Sequence, residues 1–424
     1  MQYVNTYKHS VYLDVDKCHG CTTCLRHCPT EAIRIKDGHA VINEERCIDC
    51  GECIRYCPTK AKKVVSGSLD AMKNYKWKIA LPAPTLYGQF DNLDDVDYLL
   101  DGLKKLGFDD IFEVSAAAEL VSAYTRIYLK DEKVKKPAIS SACPVVVRLI
   151  GLRFPELVEN IINMLPPMEM AAKMAREKAE KEHPELKKEE IGVFFISPCP
   201  AKASYVNNGF ADYKSQVDVV VPISDVYFQL ISVMSPDADI QSLSNSGVIG
   251  IGWAVSGGES TAIFNEKYLA ADGIENVIRV LDQIENGNIP SLEFIELNAC
   301  TGGCVGGVCT VQNPFIAKAR LQGLRRYLPV SQNNLADREK SKVPESYMFD
   351  EFPSYRPVSK FSDNMLESMR MMAEIQQLRK TLPGIDCGSC GAPNCRAFAE
   401  DIIKGKTTID NCPILKAKKN EESV

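Results

Sequence analysis

The chain has 424 residues, 45% of them hydrophobic and 25% charged, which marks a globular protein of about three domains. Lys and Arg number 50 against 56 Asp and Glu, and the net charge of −6 argues against a nucleic-acid or anionic-membrane surface. There is no apolar run of the roughly 18 residues a membrane span needs, and MQYVNTYKHSVYLDVDKC lacks an apolar signal segment, so neither a transmembrane helix nor a secretory leader is expected.

Cysteine is the anomaly. There are 17, an odd number that cannot pair fully within one chain. They fall into three zones.

The first zone is an internal repeat. Cys18-x2-Cys21-x2-Cys24-x3-Cys28-Pro29 recurs 29 residues later as Cys47-x2-Cys50-x2-Cys53-x3-Cys57-Pro58, flanked by the strand-prone pieces VYLDV, AIRIKDGHAVIN and KKVVSG. So small a module needs a staple beyond apolar burial. In this pattern the fourth cysteine of each run serves the other cluster. The spacing therefore assigns Cys18, Cys21, Cys24 and Cys57 to one [4Fe-4S] cluster, and Cys47, Cys50, Cys53 and Cys28 to a second. Two zinc sites are the alternative, but such runs ending in Pro are not zinc-ribbon spacing. The segment resembles a two-cluster bacterial ferredoxin, whose work is electron transfer. His19 and His27 lie inside its loops and read as residues that tune or solvate the clusters.

The middle alternates strands and helices. WKIALPAPT, KKPAISSACP, EIGVFFISPCPAK and LEFIELNACTGGC are short apolar runs, each ending in a Pro- or Gly-containing turn, and three deliver a cysteine at or just past the strand end. VDYLLDGLKKLG and IENVIRVLDQIENG are helical between them. This is α/β patterning, whose ligand sites sit at strand carboxyl ends. MEMAAKMAREKAEKEHPELKKEE reads as a charged helix with a solvated face.

Residues 333–359 are polar and proline-containing and read as a linker or surface wrap. DNMLESMRMMAEIQQLRKTL follows as a helix, with Met365, Met369, Met371 and Met372 expected to pack into a core. The last zone, Cys387-x2-Cys390-x4-Cys395-x16-Cys412-Pro413, suits another cubane, with zinc as the alternative. It resembles the four-cysteine domain of corrinoid iron–sulfur proteins and of some sensory hydrogenases.

The middle motifs resemble those of the [FeFe]-hydrogenases, in order, over roughly Trp77 to Arg325. Ser140-Ser141-Ala142-Cys143-Pro144 resembles T-S-C-C-P, and Ser197-Pro198-Cys199-Pro200-Ala201-Lys202 resembles M-P-C-x-x-K. Glu296-Leu297-Asn298-Ala299-Cys300-Thr301-Gly302-Gly303-Cys304 resembles E-x-M-x-C-x-x-G-C, and the stretch Trp253 to Gly258, with Ser256 inside it, resembles F-G-A-T-G-G. The resemblance implies a [4Fe-4S] cube on Cys143, Cys199, Cys300 and Cys304, bridged by Cys304 to a diiron unit bearing CO, CN and an azadithiolate. It implies that Lys202 donates to a cyanide, that Ser197 and Asn298 take the places of two methionines at the site, and that Trp253 and Ser256 line it. Backbone donors are expected from the turns at Gly257, Gly258, Gly302 and Gly303.

The departures carry the functional expectation. The family's proton-relay cysteine is Ala142, which cannot carry a proton. In SAAAELVSAYTR, Tyr124 and Thr125 stand roughly where relay carboxylates are expected. These substitutions resemble those of the sensory hydrogenases. The expected fold is an α/β two-lobed hydrogenase core (71–330), an N-terminal α+β ferredoxin-like domain (1–70), a linker (331–360) and a small helical C-terminal iron–sulfur domain (361–424). The expected function is slow interconversion of H2 with protons and electrons, in a hydrogen- or redox-sensing role. The alternative is a non-catalytic electron-transfer or cluster-assembly protein without diiron, like the prelamin-recognition-factor-like proteins. A redox partner such as a ferredoxin, or a signalling partner, and a cytoplasmic location follow from low-potential clusters and free thiolates, with room for a homodimer. Cys309 is the leftover and reads as a small buried residue beside the site.

Overall fold

The computed structural model describes residues 8–91, 93–209, 213–234, 242–332, 342–350, 361–362 and 364–421. The chain forms two units. One joins Met1–Val64 to Arg356–Val424, and the other is Val65–Tyr355.

In the first unit the repeated sequence folds as a repeated backbone. Its strands are β1 (Val11–Leu13), β2 (Ile33–Lys36), β3 (His39–Ile42) and β4 (Lys62–Val64), with β1 antiparallel to β4 and β2 to β3. Left-handed backbone recurs at the 29-residue offset: Gly20 with Asp49, Thr22 with Gly51, Glu31 with Lys60. His27 and Tyr56, also equivalent, stack with ring centroids 3.7 Å apart.

The C-terminal cysteine segment belongs to this same unit. Arg34 pairs with Asp401 at 2.5 Å and Arg46 with Glu400 at 2.7 Å, all four side chains largely buried. The Ile35 amide donates to Gly391 O at 2.9 Å. Gly391 has φ +84°, and a Cβ there would lie 2.3 Å from the Ile35 carbonyl oxygen, so only glycine allows this approach. Helix Met365–Thr381 packs through Ile375, Leu378 and Leu382 on the apolar face of helix Cys395–Ile403. The methionine stripe does not join that core: Met365, Met369 and Met372 are 79%, 58% and 51% exposed. The small core is filled by a different face of the helix, which corrects the packing expectation.

The second unit is α/β. Strands β5 (Trp77–Pro82), β6 (Asp110–Ile111), β8 (Ile191–Ser197) and β9 (Val219–Pro222) form a parallel sheet ordered β6-β5-β8-β9. Strands β7 (Ala138–Ile139), β10 (Tyr268–Asp272) and β11 (Phe294–Asn298) form a second parallel sheet ordered β10-β11-β7. Alternate residues of the central strands feed two apolar cores: Ile79, Leu81, Val193 and Phe195 one, Ala80, Phe194 and Ile196 the other.

The charged helix Pro167–Glu182 is not simply solvated on its polar face. Glu169 is buried and accepts from Ser215 Oγ and the Gln216 amide, and buried Arg176 pairs with Asp218 at 2.5 Å. These charges tie the helix to the loop leading into β9. Most of the expected linker lies outside the described residues, but in 342–350 Tyr347 O accepts from the Leu165 amide at 2.9 Å and Phe349 is buried. No helix among the described residues is long and apolar enough to cross a membrane.

Candidate metal centres

Two Cys-Pro steps start helices. Cys143 is the N-cap of Pro144–Arg153 and Cys199 the N-cap of Pro200–Asn208, each with proline at the first turn. Proline costs nothing there because that N–H has no helical partner. The position also sets each sulfur at the positive end of a helix. Cys300 follows the end of β11, and Cys304 opens the turn Cys304–Gly306. Gly307 brings that turn against the residue before Cys199: a Cβ on it would lie 2.2 Å from the Pro198 carbonyl oxygen.

The result is convergence. Cys143, Cys199, Cys300 and Cys304 all line one cavity enclosing about 850 Å³ of space between atoms, its open mouth included. Ala83, Pro84, Val114 and Ala118 make much of the remaining wall apolar. Burial pushes the Cys199 thiol up to about 12, with Cys143 and Cys304 adding to the rise and Lys202 opposing it. Burial likewise raises the Cys304 thiol against the pull of Lys202. Lys202 lines the cavity with its Nζ 5.3 Å from the centre of the Phe195 ring. Trp253, Asn298 and Ala142 are on the wall as well. The Trp253 indole donates to Ser122 Oγ at 2.9 Å, which fixes the ring.

Other expected residues lie behind the wall. Ser197 Oγ accepts from the Cys199 amide and donates to the Cys199 carbonyl, both at 3.1 Å, so it shapes the turn that carries the thiol. The Ser256 amide donates to Gly302 O at 3.0 Å. Buried Cys309 donates its amide to Pro198 O at 3.1 Å. The glycine amides expected as donors are already committed: Gly257 to Glu296, Gly302 to Asp272, Gly258 to Val255 O and Gly303 to Cys300 O. Those turns hold the loops together instead of offering free N–H groups. Tyr124 and Thr125 are buried in helix Val114–Tyr128, where Thr125 Oγ1 bonds back to Val121 O.

One wall residue, Glu259, is not singled out by the sequence, and Glu296 is read there only as the first residue of its motif. Glu259 and Glu296 both line the cavity. Burial, then the charge of Glu296, pushes Glu259 well above the usual carboxyl range. Burial raises Glu296 too, against donors from the Ser260 and Gly257 amides and Asn298 Nδ2, at 2.8, 3.0 and 2.8 Å. Ser140 Oγ donates to Glu259 at 2.6 Å and accepts from the Ala142 amide at 3.2 Å. The available signal was an acid directly after the Gly257-Gly258 turn, in a stretch otherwise small and apolar.

In the ferredoxin-like unit the thiols of the two runs act on one another. The Cys24 thiol, pushed up to about 11 by burial, feels Cys21, Cys18 and Cys57. The Cys50 thiol is raised by loss of solvent and feels Cys28, Cys53 and Cys47. The quartets expected from the spacing are Cys18, Cys21, Cys24 with Cys57, and Cys47, Cys50, Cys53 with Cys28, and Cys53 of the second also feels Cys24 of the first. The amides of Ala32 and Ala61 donate to the sulfurs of Cys28 and Cys57, each at 3.2 Å, as another pair in the repeat. The last four cysteines, Cys387, Cys390, Cys395 and Cys412, line one small cavity.

The family model for the iron only hydrogenase large subunit, C-terminal domain, matches residues 76–267 and 255–308. A 4Fe-4S dicluster model matches residues 10–58, and an Fe-S cluster model matches 382–414. The chain is 23% identical over 262 residues to the NADP-reducing hydrogenase subunit HndD of Solidesulfovibrio fructosivorans, covering 48% of this chain and 44% of that one. It is 46% identical over 37 residues to the corrinoid/iron-sulfur protein large subunit of Moorella thermoacetica, 9% of this chain and 8% of that one. It therefore spans less than half the length of these curated relatives. An apo [FeFe]-hydrogenase from Chlamydomonas reinhardtii aligns with a TM-score of 0.47 at 16% identity, covering 61% of this chain and 87% of that chain. The cavity that gathers four thiols lies inside a family match extending over more than half of the residues, and the chain belongs to the iron-only hydrogenase large-subunit family.

Proposed function

We propose that this protein is an oxidoreductase that interconverts H2 with protons and electrons, slowly, in a hydrogen- or redox-sensing role in the cytoplasm. The observation that carries the reading is the meeting of Cys143, Cys199, Cys300 and Cys304, from three distant stretches, on one largely apolar cavity wall. Four soft thiols in a dry pocket suit a [4Fe-4S] cube. Cys304 would bridge that cube to a diiron unit with CO, CN and azadithiolate, which when bound supplies the splitting and formation of H2.

The chain's own residues would position and serve that unit. Lys202 offers a cation where a buried cyanide needs a donor. Trp253 closes the wall and Ser197 holds the Cys199 turn. Ala142 has no proton to give, so proton holding falls to the Glu259 and Glu296 carboxyls on the cavity wall, of which burial and the charge of Glu296 raise Glu259 well above the usual carboxyl range. Loss of the thiol relay supports slow turnover and hence sensing. Electrons would pass through the two ferredoxin-type clusters and the C-terminal cluster to a one-electron carrier such as a ferredoxin, or to a signalling partner. Infrared spectroscopy of the matured protein tests the reading. Carbonyl and cyanide stretching bands are expected, and their absence from protein carrying all its iron overturns it in favour of a plain iron–sulfur protein.

A further inference from the structure

The 29-residue repeat makes Ile33 and Lys62 equivalent positions. Ile33 is 2% exposed and sits among Cys24, Leu25 and Ala40, as a core isoleucine should. Lys62 is equally hidden, at 3% exposed, yet it ends in an ammonium. Its Nζ is buried with no hydrogen-bond partner among the described residues. An unpaired cation in the interior of a small domain is costly, so something negative must answer it. The cluster around Ile33 holds both Cys24 and Cys53, and the repeat, which exchanges those two cysteines, sets Lys62 in the matching place beside the same two sulfurs. Those two sulfurs belong to different quartets. The amide of Ala61, the residue before it, donates to the sulfur of Cys57 at 3.2 Å.

We propose that Lys62 is a shared electrostatic anchor between the two ferredoxin-type clusters, a buried cation that raises the reduction potential of both at once. This rests on the ferredoxin-like repeat alone and is independent of the hydrogenase reading. Each cubane gains one negative charge when one electron arrives from an external donor and one ferric equivalent becomes ferrous, with no bond made and no proton taken up. A fixed cation beside both cubes stabilises that added charge in each. Breaking the repeat at Lys62 thus gives both cubes a common counter-charge that the isoleucine at position 33 cannot provide.

The test is an EPR-monitored redox titration of the full reconstituted chain, with dithionite as the donor, on wild type, Lys62→Met and Lys62→Arg. At one solution potential, Lys62→Met is expected to lower the reduced-to-oxidised ratio of both clusters about tenfold, a shift of about 59 mV for one electron. Lys62→Arg, which keeps the charge, is expected to stay within about twofold of wild type, a rescue that a purely packing role would not give. Unchanged ratios in Lys62→Met overturn the proposal, and so does a change confined to one cluster. If Lys62→Met takes up no iron, the wild type decides: with 15N-labelled lysine, electron–nuclear double resonance should detect the nitrogen from both reduced cubes. No such coupling overturns it.

Discussion

The two units gather sulfur by opposite means. In the ferredoxin-like unit, cysteines come three residues apart in tight turns, and the apolar cluster around Cys24 holds only Leu25, Ile33 and Ala40 as other buried residues. In the hydrogenase-like unit, Cys143, Cys199 and Cys300 follow the ends of three strands in two parallel sheets, with two extensive apolar cores behind them. The first design needs its metal to fold, whereas the second builds its pocket from apolar packing. The sharpest way to break this contrast is to leave the iron out. Apoprotein should lose amide-exchange protection across the ferredoxin repeat and keep it in β5 and β8, measured by hydrogen–deuterium exchange. Equal protection in both units would end the comparison.

The next effect is electrostatic. Arg46→Ala strands buried Glu400, which keeps only Lys404, and breaking such a pair costs about 3–5 kcal/mol. The cost should appear as earlier melting of the ferredoxin-like unit alone, followed by loss of its visible iron–sulfur absorption. Smaller is Glu259→Gln, which keeps the shape of the cavity wall but not its proton. Matured protein should evolve H2 about a hundredfold more slowly, and an unchanged rate would remove the carboxyl pair from the proton path. Ala142→Cys acts in the other direction. A thiol restored beside the cavity should raise H2 evolution about tenfold, less than a full general acid could because Glu259 already holds a proton.

Acidity separates the units most gently, and with opposite sign. Burial would raise the Glu400 carboxyl, but its hydrogen bond to Lys404 and the charge of Arg46 outweigh that and hold it low. Its stabilisation is therefore complete above the unfolded glutamate value of about 4.3 and fades as the pH falls below it. Glu259 is raised, so its ionisation weakens the hydrogenase-like unit at high pH, and that penalty lifts as the pH falls toward about 4.3. Thermal unfolding followed separately in each unit from neutral pH downward should show the larger unit gaining stability while the smaller stays level.

What the sequence made legible follows the same division. The repeat and the turns that close the strands before Cys143 and Cys199 are local, because spacing and proline chemistry act over a few residues. The meeting of the core thiols was reached through motif resemblance, since nothing local to Cys143 says that it faces Cys304. Strands β6, β9 and β10 went unread: β6 is two residues long, β9 is a short apolar run ending in Pro222, and β10 carries no strong alternation. Glu259 was missed because its chemistry arises only when Glu296 is folded next to it. The methionine stripe misled because helical spacing says which residues share a face, not which face the neighbouring helix covers.

The smaller unit is assembled from both ends of the sequence given. Arg34 and Asp401 are 367 residues apart, and Arg46 and Glu400 are 354 apart. On the ribosome, the two arginines therefore emerge long before the acids that neutralise them. The ferredoxin repeat therefore gains these two buried partners only after the more than 350 intervening residues have been made.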